Sequence, residues 1–159
     1  MATNQTASVL IVDDEDMVIT SLKAYLQLET DFEIHGFTDP AEAVRYLEKE
    51  SADVVVSDYL MPKLNGIQLL ARAKELQPEA SRVLLTGHAD KQSAIQAINN
   101  VGLFQYLEKP WDNQQLLLVI QAAIERATLL RDLREKISQL DAAHASLKDV
   151  QRRLLQAFL

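Results

Sequence analysis

Short apolar runs alternate with amphipathic stretches along most of this chain. Ser8 to Val12 (SVLIV) is apolar and rich in β-branched residues, as in a strand buried on both faces. From Asp16 to Leu28 the apolar residues Val18, Ile19, Leu22, Tyr25, Leu26 and Leu28 recur at helical spacing. Phe32 to Phe37 reads as a second strand. Asp39-Pro40 supplies an N-cap followed by proline at the first helical position, which starts a helix running to about Lys49. Val54 to Ser57 is a third buried strand, ending at Asp58, and Tyr59 to Asn65 is a loop around Pro62. Gly66 to Gln77 is helical and Pro78 closes it. Val83 to Thr86 is a fourth strand, Asp90 to Asn100 a helix, and Leu103 to Leu107 a fifth strand. The last helix starts near Asp112.

Five strands with intervening helices predict an α/β fold, a parallel sheet covered on both faces. In such a sheet, ligands bind outside the carboxyl ends of the strands, where strand order reverses. Strand one ends at Asp13-Asp14, strand three at Asp58 and strand four at Thr86, while strand five leads to Lys109. Three carboxylates, a hydroxyl and an ammonium are therefore expected on one edge of the sheet.

Composition narrows the setting. The 159 residues are 48% hydrophobic and 25% charged, with 23 acids against 16 bases and a net charge of −7. An acidic surface repels phosphate backbones, so no direct nucleic-acid binding is expected of this segment. Cysteine is absent, which removes disulfides and thiolate metal sites. The first eight residues lack the basic and apolar stretches of a secretory signal. No apolar run approaches the roughly 20 residues that span a bilayer. A cytoplasmic protein without membrane attachment is the expectation.

Electrostatics limits what the acidic edge can do. Two carboxylates about 5 Å apart repel by roughly 3 kcal/mol at an effective dielectric near 20. Three of them raise one another's pKa or bind a cation. Oxygen ligands favour a hard ion such as Mg²⁺, which also neutralises a phosphoryl oxygen. A carboxylate can act as nucleophile and form an aspartyl phosphate, with an ammonium and a hydroxyl to hold the other phosphoryl oxygens. The residue types suit phosphoryl transfer to a carboxylate.

Four segments carry a family resemblance: VLIVDDE at Val9–Glu15, VVVSDYLMPKLNG at Val54–Gly66, LLTG at Leu84–Gly87 and YLEKPW at Tyr106–Trp111. In that order, each at a strand end, they resemble the receiver domains of bacterial two-component response regulators, over roughly Ser8 to Arg126. The resemblance implies a flavodoxin-like doubly wound sheet of order 2-1-3-4-5. It makes Asp58 the phosphoacceptor, Asp14 a direct Mg²⁺ ligand, Asp13 a ligand mainly through water, and the backbone carbonyl of Leu60 the completion of the metal site. Lys109 pairs with the phosphoryl group, and Lys109-Pro110 is a cis peptide. Thr86 moves toward the phosphoryl group while Tyr106 turns inward, a local charge event biasing a two-state element. Leu60 and His88 occupy positions that tune hydrolysis. The donor implied is a sensor histidine kinase. No enzyme is expected in this chain beyond the receiver's own phosphoryl chemistry.

Plainer roles exist for these residues. Asp13 and Asp14 could cap the first helix, although Asp16 already serves there. Asp58 and Thr86 could be turn residues, Lys109 a solvated lysine and Tyr106 a static core aromatic. Trp111 reads as structural, Met17 and Met61 as gap-fillers, and His35 and His88 as surface residues. The main enzyme rival is a haloacid-dehalogenase-type Mg²⁺ phosphatase, whose acid-x-acid nucleophile pattern Asp14-Glu15-Asp16 imitates. A second rival is a dimerisation scaffold that works without phosphorylation.

Residues 112–159 contain no glycine or proline and would extend about 70 Å as one helix. From Leu130 a heptad emerges. Leu133, Leu140, Leu147 and Leu154 take d, and Leu130, Ile137, His144, Gln151 and Phe158 take a. Leucines at d favour a parallel dimeric coiled coil. Lys136 at g faces Asp141 at the following e of a parallel partner. The expected organisation is a disordered N-terminus over 1–7, a receiver over 8–126, and a coiled-coil signalling helix over 127–159. That helix is expected to serve a homodimer and lead to an output domain beyond this chain, with a solvated linker helix or a helix folded back on its own domain as the alternatives. The threonine-glycine-histidine and lysine-proline-tryptophan runs resemble receivers placed ahead of HD-GYP-type phosphodiesterases or histidine kinases.

Overall fold

The computed structural model describes residues 6–158, with the side chains of His88 and Ala97 left aside. Of the disordered N-terminus expected over 1–7, residues 1–5 lie outside the described residues. The strands are β1 (Ser8–Val12), β2 (Glu33–Phe37), β3 (Val54–Asp58), β4 (Ser81–Thr86) and β5 (Gln105–Glu108). The helices are α1 (Asp16–Glu29), α2 (Pro40–Lys49), α3 (Gly66–Leu76), α4 (Lys91–Asn100) and α5 (Asn113–Phe158), with a 3₁₀ turn at His88–Asp90 before α4.

All four strand pairings are parallel and the order is β2-β1-β3-β4-β5. The alternation of side chains along each strand divides the core into two layers. Val9, Ile11, Val54, Val56, Val83 and Leu85 face one way, onto α1 through Ile19, Leu22 and Leu26 and onto α5 through Leu116, Ile120 and Ala123. Leu10, Val12, Val55 and Leu84 face the other way, onto Ala43 and Leu47 of α2, Leu69, Leu70 and Ala73 of α3, and Ala94 of α4. Every residue of β3 and β4 is buried, which explains why residues 54–56 and 83–85 within them read as continuous apolar runs rather than alternating ones.

Local signals place the helices. Asp39 accepts a hydrogen bond from the Ala41 amide at 3.0 Å, and Pro40 opens α2. Asn65 and Gln68 form a reciprocal capping box at the start of α3, both bonds 2.9 Å. Two expectations need correction. Asp16 is the first residue of α1, not its cap; the cap position is Glu15, which makes no side-chain capping bond. Met17 fills no gap, being 83% exposed.

The chain divides into two compact units at Ala127/Thr128. The first holds the sheet and both core layers. The second is the remainder of α5, whose side chains are exposed from Asp132 to Phe158. Among the described residues, no helix is long and apolar enough to cross a membrane.

Candidate phosphoryl-transfer site

Strand order reverses between β1 and β3: the chain leaves β1 for β2 on one side and returns to place β3 on the other. The carboxyl ends of these two strands therefore open a crevice, and Asp13, Asp14 and Asp58 stand at it. Carboxylate oxygens of all three lie within 4.8 Å of one another, with Asp13 and Asp58 buried and Asp14 exposed. Register fixes this meeting. Val12 pairs with Ser57 across β1 and β3, so the next residue on each strand arrives at the same edge. The Asp13 amide is held by the Phe37 carbonyl at 3.1 Å, and the Tyr59 amide by the Leu85 carbonyl at 2.9 Å.

Lys109 reaches in from the end of β5. Its Nζ lies 2.8 Å from Asp58 Oδ1, and its backbone N–H donates to the Thr86 carbonyl at 2.7 Å. The Lys109-Pro110 peptide is cis, as the family resemblance implies. Burial works to lower the Lys109 pKa, but the Asp58 hydrogen bond and the charges of Asp58, Asp13 and Glu15 outweigh it and hold the ammonium above its ordinary value. Thr86 ends β4 fully buried, and its hydroxyl donates to the Gly87 carbonyl at 2.9 Å. Tyr106 pairs with Leu84 in the β4–β5 register and packs half-buried against the second core layer. Leu60 follows β3 with its side chain 63% exposed. The side chain of His88 lies outside the described residues.

Asp13 is the most constrained acid. Burial pushes its carboxyl up to about 6; the Glu15 amide and Lys109 oppose this, while Asp58 and Asp14 add to it. Oδ1 accepts from the Glu15 amide at 2.9 Å, whereas Oδ2 is buried with no partner. A buried, unsatisfied carboxylate oxygen beside two more carboxylates is what a hard cation would satisfy. The donor set fits Mg²⁺: Asp13, Asp14 and Asp58 would hold it, and it would draw charge from an oxygen of an incoming phosphoryl group.

Two contributors were not marked for function in the sequence. A Cβ on Gly66 would overlap the carbonyl oxygen of Asp58, so this glycine lets α3 start directly against the acceptor strand, where the Gly66 amide bonds the Tyr59 carbonyl at 2.8 Å. The Trp111 ring centroid lies 6.0 Å from Lys109 Nζ, at the outer range of a cation–π contact. Its position two residues beyond the lysine was the available signal, but spacing alone cannot tell a packing aromatic from one beside the ammonium. His35 sits on edge strand β2, 2.7 Å from Glu33, and belongs to a different part of the surface pattern.

The response regulator receiver domain model matches residues 9–121. Among curated proteins, the chain is 28% identical over 143 residues to the hydrogenase transcriptional regulatory protein HoxA of Bradyrhizobium diazoefficiens, covering 90% of this chain and 29% of that protein's length. Among solved structures, a response regulator receiver domain protein from Clostridium thermocellum superposes with a TM-score of 0.73 at 36% identity, over 78% of this chain and 98% of that one. The signal receiver domain of an HD domain-containing protein from Pseudomonas fluorescens Pf-5 gives 0.73 at 32%, with the same coverages. With its 2-1-3-4-5 sheet and its acidic pocket at the strand ends, this chain belongs to the response regulator receiver domains of two-component signalling.

Proposed function

We propose that Asp58 accepts a phosphoryl group from a sensor histidine kinase and that the chain works as a signalling module rather than a turnover enzyme. The observation that carries this reading is the 2.8 Å contact between Lys109 Nζ and Asp58 Oδ1, inside a pocket whose Asp13 Oδ2 lacks a partner. In the transfer, a carboxylate oxygen of Asp58 forms a bond to phosphorus while the donor's nitrogen–phosphorus bond breaks, and the imidazole leaves with the electron pair. Lys109 is already in place to pair with a phosphoryl oxygen. Asp14 and Asp13 would hold Mg²⁺, with the Leu60 carbonyl as a further ligand. Thr86, whose hydroxyl now bonds the neighbouring Gly87 carbonyl, would exchange that bond for one to the phosphoryl group, and Tyr106 would occupy the space left behind.

The rival phosphatase reading makes Asp14 the nucleophile. Asp14 is exposed, while the ammonium that would steady the product is on Asp58, which favours the receiver chemistry. The chain would act in the cytoplasm, dimerise through residues 127–159, and pass the change to an output domain beyond it. The Pseudomonas receiver comes from an HD domain-containing protein, which supports an HD-type output.

Intact-mass measurement with acetyl phosphate and Mg²⁺ tests the assignment. The wild type should gain one phosphoryl group. Asp58→Asn should gain none, and Asp14→Asn should label more slowly and recover partly at high Mg²⁺. Full labelling of Asp58→Asn would defeat the reading, and loss confined to Asp14→Asn would transfer it to the phosphatase.

A further inference from the structure

The second unit of the chain carries a row of large apolar side chains in solvent. Leu133 is 55% exposed, Ile137 50%, Leu140 68%, Leu147 61%, Val150 48% and Leu154 54%. A single helix with such a row lacks the packed face that stabilises helices in proteins. The continuous heptad that begins at Leu130 serves this row well as far as Leu140. Beyond that point it places His144 and Gln151 at core a positions, burying polar side chains between helices.

We infer that the seam shifts at Leu140, and that a second copy of this chain packs in parallel along Leu130, Leu133, Ile137 and Leu140, then along Ala143, Leu147, Val150, Leu154 and Ala157. The inference rests on the dimer reading above and adds its geometry. The shift replaces the four-residue step Leu140→His144 with the three-residue step Leu140→Ala143. From there the spacing continues 4, 3, 4, 3 through Ala157 without a polar residue. A three-residue interruption of this kind overwinds a coiled coil locally, rotating each helix about its axis by about 50°, one heptad position. His144 and Gln151 then lie on the flank, in contact with water.

Several features favour a second copy as the occupant. Each core layer meets an identical apolar residue, which a parallel homodimer satisfies along its whole length. Lys136 stands at g ahead of the shift and Asp141 just past Leu140, at the e position of the upstream frame, so each chain's lysine faces the partner's aspartate where the shift begins. Asp149 and Arg153 form an ion pair of 3.0 Å along the helix and occupy no core position in the shifted frame. Phe158 moves to the flank and Leu155 stays outside the core, a cost confined to the last turn.

The absence of cysteine makes the test direct. Single cysteines are introduced into the full chain at Ala143, His144, Leu147, Val150 and Gln151, and disulfide formation is followed under mild oxidation. A disulfide needs Cα atoms within about 7 Å, which core layers of a two-stranded coil meet and flanking positions do not. Leu147→Cys occupies the core in either frame and reports the dimer itself. Ala143→Cys and Val150→Cys should cross-link at least fivefold faster than His144→Cys and Gln151→Cys. The opposite order, or equal rates at all four, would overturn the shift while leaving the dimer intact. No cross-link at Leu147→Cys, with a monomer by light scattering, would remove the dimer and this seam with it.

Discussion

Asp13 carries an unusual burden for a single side chain. It is 1% exposed, and one of its oxygens has no partner. Its pKa rises on folding from an ordinary 3.8 to about 6, so keeping it ionised opposes folding. That cost is absent below the unfolded value near 3.8, grows through the interval, and is complete above about 6. Asp13→Asn should therefore stabilise the metal-free protein at pH 7, by about 1 to 3 kcal/mol, with the gain shrinking toward pH 4. Urea denaturation at the two pH values measures it, and an equal gain at both would show that ionisation is not the source. The same proton competes with the cation. In the unsubstituted protein, Mg²⁺ affinity by calorimetry should rise between about pH 5 and 7 and level off above, with about half a proton released on binding at about pH 6. The residues of this pocket were legible because each acid, hydroxyl or amine sits where an apolar run ends. The strain on Asp13 was not, because nothing in the order Asp13-Asp14 says which of two adjacent acids turns inward. The Phe37 carbonyl and the Glu15 amide, brought by the fold, decide that.

Strands and helices were readable wherever one period dominated. β1 and α2 lie where their apolar pattern and caps put them, and β3 runs on into its terminal aspartate. β5 occupies Gln105–Glu108 where Leu103 to Leu107 was expected. β4 starts at Ser81, two residues earlier than its apolar run, because Ser81 and Arg82 look like loop residues yet are buried. Tertiary partners supply what water would have. Ser81 Oγ donates to the Ala123 carbonyl at 2.7 Å and accepts from Arg126 at 3.2 Å. The Arg82 guanidinium donates to the carbonyls of Val101, Gly102, Pro78 and Ala80 at 2.9–3.4 Å. Burial, together with the nearby Arg126, lowers the Arg82 pKa. Arg82 thus ties the start of β4 to the loop that follows α4. Arg82→Met keeps most of the volume and removes the donors, leaving carbonyls unmet. It should cost about 2 to 4 kcal/mol by chemical denaturation, far more than an exposed arginine. A loss below about 0.5 kcal/mol would mean that water replaces the guanidinium without penalty. Such long-range polar contacts leave no periodic trace in a sequence, which is why the first residues of β4 could not be read from it.

At the scale of the molecule, chemistry and coupling occupy different stretches of chain. The family match ends at residue 121, every residue placed at the acidic pocket falls between Asp13 and Trp111, and both core layers close within the first compact unit. The exposed apolar row belongs wholly to the second. This chain spans 29% of the length of the HoxA relative, so a signal made in the first unit has to travel onward to matter in a protein of that kind. The division makes a separable outcome. A double substitution in the row, Leu140→Glu with Leu147→Glu, puts like charges opposite each other across any parallel pair while touching no core residue of the first unit. The parent should be dimeric by light scattering, and the variant monomeric at the same concentrations. Its rate of labelling at Asp58 by acetyl phosphate should stay within about twofold of the parent's, since a small donor meets only the pocket, and twofold corresponds to about 0.4 kcal/mol of barrier. A fall of tenfold or more would mean that the acceptor site is completed only in the dimer, and that chemistry and assembly are one event rather than two in sequence.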